Sequence, residues 1–274
     1  MFADAFASAL GNAVFAAYLL VAAYIYVSLT RQIRARNSLP EFSAPGSAKM
    51  FGLPEVILAA ALVSFLLLNV FAAIARPGPT QLSTSDLVAN LFFTIAVVLF
   101  VASFLRLRRF DLDSLGGFSR ISFIRAASTG IILLVFTYPL LAVSESIVQA
   151  LFGTGSSKQE IVDLFTSSQT LGQRIVIVIL AVVVAPMAEE FIFRLFLYGV
   201  LKRYLGIGIA LLGNALLFAA VHTHLPSFAP LFVLGACFTL AYEWSGSILV
   251  SMTMHALFNG IQLIVLAFPQ LVQQ

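Results

Sequence analysis

Apolar residues run along this chain in stretches of about 20, enough to cross a hydrocarbon core of roughly 30 Å as a helix. Short polar segments rich in arginine and lysine interrupt them. The pattern predicts eight spans, near residues 9–29, 55–75, 87–105, 129–152, 175–201, 207–221, 228–242 and 247–268. All read as helices, because an open sheet leaves backbone groups unsatisfied in lipid. The seventh is short for a crossing and ends at Glu243, which, beside Trp244, reads as an interface anchor. The predicted fold is therefore all-α: a polytopic membrane bundle of about eight transmembrane helices around a buried polar cavity. Its expected organisation is an N-terminal group of helices (1–127) with basic loops and a membrane core (128–274), together one integral unit.

Composition supports this class. Of 274 residues, 61% are hydrophobic and 10% charged, with mean hydropathy +1.02, whereas soluble domains carry about 25% charged residues. The N-terminal run lacks a basic segment before it and is expected to be a retained helix, not a cleaved signal peptide. The lone Cys237 permits no internal disulfide and reads as a small packing residue. The net charge of +3 gives no reason to expect a nucleic-acid partner, because topology accounts for it.

The basic residues alternate from loop to loop. Arg31, Arg34, Arg36 and Lys49 follow the first span; Arg106, Arg108, Arg109, Arg120 and Arg125 the third; Lys202 and Arg203 the fifth. The opposite loops hold only Arg76, Lys158 and Arg174. Loops enriched in lysine and arginine are the cytoplasmic ones, so both termini are expected outside the cytoplasm. Residues 39–47, with two prolines and a glycine, read as a linker. Residues 160–165 read as a short interfacial helix. Residues 106–125 read either as an amphipathic segment lying on the membrane or as a solvated connector.

Three polar motifs interrupt spans that lipid should bury: Glu189-Glu190-x-x-x-Arg194, Phe218-x-x-x-His222 and His255-x-x-x-Asn259. A charge at the bilayer centre costs about 2.5–3.5 kcal/mol on insertion scales, so these groups need one another or water. Positions i and i+4 share a helix face, which pairs Glu190 with Arg194. Glu189 lies about 100° around the helix from Glu190, so the two carboxylates cannot share a role. Glu190 reads as structural and Glu189 as facing a reacting water. Pro186, one turn earlier, frees a carbonyl and loosens the helix. Asn214, Phe218 and His222 form one stripe, with Phe218 read as packing. Ser251, His255 and Asn259 form another, with Gln262 nearby. At 1.5 Å per residue from the basic ends, Glu189 sits about 20 Å deep, His222 about 22 Å and His255 about 12 Å. His255 is thus the poor match. His224 reads as a loop residue and Glu145 as an outer-edge one.

A carboxylate beside a histidine at low dielectric can act as general base on water, and His255 and Asn259 can donate to a developing oxyanion. The expected activity is hydrolysis of a peptide bond without a covalent intermediate, no serine or cysteine standing in a triad context. Two histidines and a glutamate also make a zinc set with water as fourth ligand, although His-Glu-x-x-His spacing is absent. The expectation is no cofactor, with zinc as the alternative. A proton-coupled transporter using the same carboxylates, or a non-catalytic membrane protein that binds a helix in the cavity, also fits the residues.

In this order and spacing, the three motifs resemble those of the CPBP family, which includes the type II CAAX prenyl endopeptidases and bacterial relatives linked to bacteriocin processing or self-immunity. The resemblance covers about residues 185–259. It implies an eight-helix intramembrane protease in which Glu189, assisted by His222, activates water. It also implies that His255 and Asn259 line an oxyanion hole and that Glu190 and Arg194 support the site. The implied substrate is a peptide or membrane protein, one option being lipidated at its C-terminus, in a bacterial or archaeal plasma membrane.

Overall fold

A computed structural model describes residues 2–38, 49–75, 84–153, 171–268 and 270. The helices are α1 (Phe2–Ser38), α2 (Leu53–Ala75), α3 (Thr84–Leu107), the five-residue α4 (Leu112–Gly116) and α5 (Phe123–Phe152). A long rod follows: α6 (Leu171–Ile179), a π-helical turn (Leu180–Val184), α7 (Ala185–Glu190), a second π-helical stretch (Phe191–Tyr198) and α8 (Gly199–Val221). A 3₁₀ turn (Leu225–Ser227), α9 (Phe228–Ser245) and α10 (Ile248–Ala267) complete the described chain. The predicted linker at 39–47, the interfacial helix at 160–165, Arg76 and Lys158 lie outside the described residues.

Seven of the described helical segments are long and apolar enough to cross a membrane, and one of them runs 51 residues from Leu171 to Val221. At 1.5 Å per residue such a rod would reach about 76 Å, more than twice a hydrocarbon core. It does not run straight: Gly206 adopts φ 74, ψ 169 inside α8, a conformation only glycine takes at little cost. The break divides the rod into two passes, which makes eight and explains why the sequence separates spans at 175–201 and 207–221. Other ends shift by several residues, most at α1 and at α5, which begins at Phe123 behind the capping Ser122. The chain is an integral, multi-pass, all-α membrane protein.

Large apolar side chains cover the outside. Leu20, Ile57, Leu68, Phe71 and Phe92 are all more than half exposed, an arrangement stable only against lipid. Polar bonds join the helices within. The Tyr26 hydroxyl of α1 lies 2.6 Å from Thr137 Oγ1 and donates to the Leu133 carbonyl at 3.0 Å on α5. Pro139 lacks the N–H that would bond Val135 four residues back, and the Tyr18 hydroxyl donates to that Val135 carbonyl instead. Glu55 of α2, fully buried, pairs with Arg108 beyond α3 at 2.8 Å.

Residues 106–125 are largely exposed but anchored to the bundle at a few points. Phe110 is buried, α4 folds against the bundle, and the Tyr242 hydroxyl donates to the Leu115 carbonyl at 2.7 Å. The reading of Glu243 is corrected. It is 5% exposed, held by Lys202 at 2.7 and 2.8 Å, by Arg36 at 3.4 Å and by the Tyr198 hydroxyl at 3.1 Å. Its neighbour Trp244 donates to Gln32 on α1. This end of α9 is a buried ionic knot, not an interface anchor.

Candidate functional site

The rod carries the carboxylates, and its π-helical register decides which backbone groups need partners. The Ala185 N–H bonds the Leu180 carbonyl, five residues back. In the same register Ala181 would accept from residue 186, but Pro186 has no N–H to give. The stranded Ala181 carbonyl accepts from Asn259 Nδ2 of α10 at 2.8 Å. A buried backbone acceptor is seldom left unpaired, so Pro186 and Asn259 form one arrangement that ties α10 to the rod just before the glutamates.

Glu190 and Arg194 are both 0% exposed and pair at 2.9 Å. The guanidinium also donates to the Gly235 carbonyl at 3.2 Å and lies over the ring of Phe218 at 4.4 Å and of Phe238 at 5.3 Å. Such cation–π contacts strengthen when desolvated. Phe218 is fully buried and thus a packing residue, but one packed against the site's cation. Phe238 stacks on His255, centroids 5.1 Å apart. No polar motif marks Phe238, so the sequence reading missed it; only its position on a span facing the others could have pointed to it.

Each histidine is fixed through its Nδ1. That of His255 lies 3.0 Å from Glu190 Oε1, and a carboxylate engaged by arginine can only accept, so Nδ1 carries a proton. His222 ends α8, where its N–H reaches Ala219 at 3.4 Å and leaves the Phe218 carbonyl free. His222 Nδ1 donates to that carbonyl at 2.7 Å. Both rings therefore present Nε2 in one direction, and there Glu189 Oε2 lies 3.9 Å from each. That oxygen is shielded from solvent and has no hydrogen-bond partner among the described residues. The Glu189 side chain is 29% exposed, His222 24% and His255 4%, so one flank of the group is open. The next residue, Thr223, takes a left-handed φ of 50, a costly conformation for a β-branched residue.

The structure thus brings Glu189, Glu190, Arg194, Phe218, His222 and His255 into one group, with Asn259 one turn away on α10. Asn214 is elsewhere, donating to Thr239 at 3.2 Å. Ser251 bonds the Ile248 carbonyl and Gln262 is exposed. His224 sits in the turn after α8, its ring 2.9 Å from Ser227 Oγ. Despite the depth mismatch counted along the chain, His255 Nε2 meets Glu189 Oε2 at 3.9 Å.

Among the described residues no group of three His, Cys, Asp or Glu side chains is gathered to hold a metal ion. The 3.9 Å edges exceed the roughly 3.4 Å that separates ligands around a tetrahedral zinc with bonds near 2.1 Å.

The family described as type II CAAX prenyl endopeptidase, Rce1-like, matches residues 171–261. A curated relative, the membrane-embedded CAAX protease MroQ of Staphylococcus aureus (strain USA300), is 31% identical over 88 residues. That similarity covers 30% of this chain and 36% of MroQ, so it spans about a third of the relative's length. No solved structure is significantly similar. The matched stretch contains all three polar motifs and every side chain of the buried group, and in residues 171–261 the chain is similar to the Rce1-like type II CAAX prenyl endopeptidases.

Proposed function

We propose that the chain is an intramembrane endopeptidase that hydrolyses a peptide bond with water activated by Glu189. The observation that carries this reading is a single unpartnered carboxylate oxygen equidistant, at 3.9 Å, from the Nε2 atoms of two histidines. That separation is too long for a direct hydrogen bond and suits a water shared by the three atoms. Glu189 takes a proton from this water as its oxygen attacks the carbonyl carbon. His222 holds the water, and His255, oriented by Glu190 and carrying a proton on both ring nitrogens, donates from Nε2 to the oxyanion. One N–H of the Asn259 amide is spent on Ala181; the other is the second oxyanion donor. Collapse of the intermediate breaks the C–N bond, and the proton held by Glu189 passes to the leaving amine. Glu190 and Arg194 touch no reacting atom and act by positioning His255.

In this reading the substrate is a peptide or membrane protein, and the similarity to CAAX prenyl endopeptidases and to the CAAX protease MroQ makes a C-terminally lipidated CAAX peptide the first to test. No metal takes part. The basic loops face the cytoplasm of a bacterial or archaeal plasma membrane, with both termini outside. Arg36, Lys49, Arg120 and Lys202, from three loops, line one cavity, which supports their sharing a side. Residues 1–127 scaffold a core at 128–274.

The test is cleavage of a quenched CAAX-type peptide and of an unmodified membrane-tethered reporter by the reconstituted chain. Glu189→Gln should abolish cleavage while leaving insertion and folding intact, and chelators should change nothing. Wild-type rates in Glu189→Gln, or proton or solute flux across vesicles in place of cleavage, would overturn the assignment.

A further inference from the structure

A second polar site lies about 20 Å along the same rod, 13 residues beyond Glu189 at 1.5 Å each, at the end where the basic loops meet. It is a cavity of about 330 Å³. Arg36, Lys49, Arg120, Lys202 and Arg203 line it, and among the described residues Glu243 is its only acid. Glu243 does not cancel the positive charge, because Lys202, Arg36 and the Tyr198 hydroxyl already surround its carboxylate. No carboxylate pairs with Arg120 or Arg203 among the described residues. The cavity therefore keeps an excess of cationic donors beside a low-dielectric bundle.

The site is built, not a chance gathering of surface lysines. Gly117 (φ +61) and Gly246 (φ +66) both take left-handed conformations and meet backbone to backbone. A Cβ on Gly117 would fall 1.8 Å from the Gly246 carbonyl oxygen, and one on Gly246 would fall 2.5 Å from the Arg120 guanidinium. The two glycines let the Arg120 fork lie flat on the turn between α9 and α10. Phe51 packs against Gly199, stacks on Phe110 and meets Phe196 edge-on, closing the floor. The outer wall is made for lipid: Met50 lines the cavity and is exposed, as are the neighbouring Leu53 and Tyr204. The Tyr204 hydroxyl donates to the Phe51 carbonyl at 3.3 Å, as an aromatic ring at headgroup level would.

We propose that this cavity binds the phosphate headgroup of an anionic phospholipid, with the acyl chains lying on the apolar outer faces of α2 and α8. Arginine forks suit phosphate oxygens, basic pockets between transmembrane helices favour anionic headgroups, and the open flank at Met50 admits a molecule that is half in the bilayer. The site is independent of the hydrolase reading and uses none of its residues.

The full chain, purified in neutral detergent, would be titrated with phosphatidylglycerol or phosphatidylcholine, reading retained lipid by native mass spectrometry and Tm by unfolding. Phosphatidylglycerol should be retained and should raise Tm; phosphatidylcholine should do neither. Arg120→Gln and Arg203→Gln should each weaken phosphatidylglycerol binding about fivefold, the effect of one cation near an anionic surface. Arg120→Lys/Arg203→Lys should bind more tightly than the glutamine variants, since the charge is kept, but less tightly than wild type, since the fork is lost. Equal retention of the two lipids would overturn the proposal, as would wild-type affinity in both glutamine variants. Equal protection by inorganic phosphate or glycerol 3-phosphate would assign the site to a free phosphate and overturn the lipid. If the glutamine variants do not fold, the wild-type lipid comparison decides alone.

Discussion

Glu189→Gln and Glu190→Gln, adjacent and chemically identical substitutions, should differ in stability: both impair cleavage, but only the second should unsettle the fold. Glu190 is fully buried and neutralises Arg194, which is also fully buried. Removing one member of a buried ion pair costs about 3–5 kcal/mol, because the other charge is left uncompensated. The glutamine oxygen can still accept one hydrogen bond from the guanidinium, returning about 1 kcal/mol. The net loss is then about 2–4 kcal/mol, a lowering of Tm on the order of 10 °C for a chain of this size. Glu189 has no ion-pair partner closer than 3.9 Å and is 29% exposed, so its replacement should move stability by less than about 1 kcal/mol. Its cleavage rate should nevertheless fall about 10²–10⁴-fold, the usual contribution of a positioned general base. Thermal unfolding in detergent and single-turnover cleavage on the same samples separate the two effects. Glu190→Gln/Arg194→Met, which removes both charges, should recover much of the lost stability. A Tm for Glu190→Gln within about 2 °C of wild type, or an equal drop for Glu189→Gln, would refute the division of labour.

Further outcomes follow from the same contacts. Asn259→Leu leaves the Ala181 carbonyl without its donor and should cost about 1–3 kcal/mol, read by unfolding. Pro186→Ala returns an N–H that can serve that carbonyl, so the Asn259→Leu penalty should shrink by at least about 0.5 kcal/mol in a double-mutant cycle; strictly additive effects would show that proline and asparagine are not coupled. Gly117→Ala should be more damaging than Gly246→Ala. The first drives a Cβ into backbone at 1.8 Å, while the second meets the end of the Arg120 side chain, which can swing away. Expression level and Tm of the two variants rank them.

Hydropathy made the class and the passes legible, because lipid enforces long apolar helices and leaves little else to choose. The motif spacing made Glu190 with Arg194 legible, since i and i+4 meet in any regular helix. It did not show that Glu190 also binds His255, because that contact joins residues 65 positions apart. Nor could it reveal the two π-helical stretches, which shift the register locally and have no apolar period of their own. Glu243 was misread for a related reason. Beside Trp244 at a span's end it looks like an interface pair, and only the approach of Arg36, Tyr198 and Lys202 from other helices turns it inward. Depth counted along the chain set His255 apart from Glu189, and the 3.9 Å approach of the two shows that a count from loop ends does not decide which side chains meet.

The correction at His255 gives the N-terminal helices a role that no motif suggested. The turn between α9 and α10 is held down from three sides. Arg36 of α1 donates to the Glu243 and Trp244 carbonyls at 2.6 and 3.3 Å, the Leu115 carbonyl accepts from Tyr242, and Gly117 presses on Gly246. Every residue of α10 is then set about 1.5 Å further along for each position after that turn, so these contacts fix how deep His255 sits. A slip of one residue there would move its ring by about 1.5 Å and turn it by about 100°, enough to part Nδ1 from Glu190 and Nε2 from Glu189 together. Catalytic geometry tolerates displacements of only about 0.5 Å. The first part of the chain, which the family match does not reach, thereby touches the turn from which the His255 helix starts.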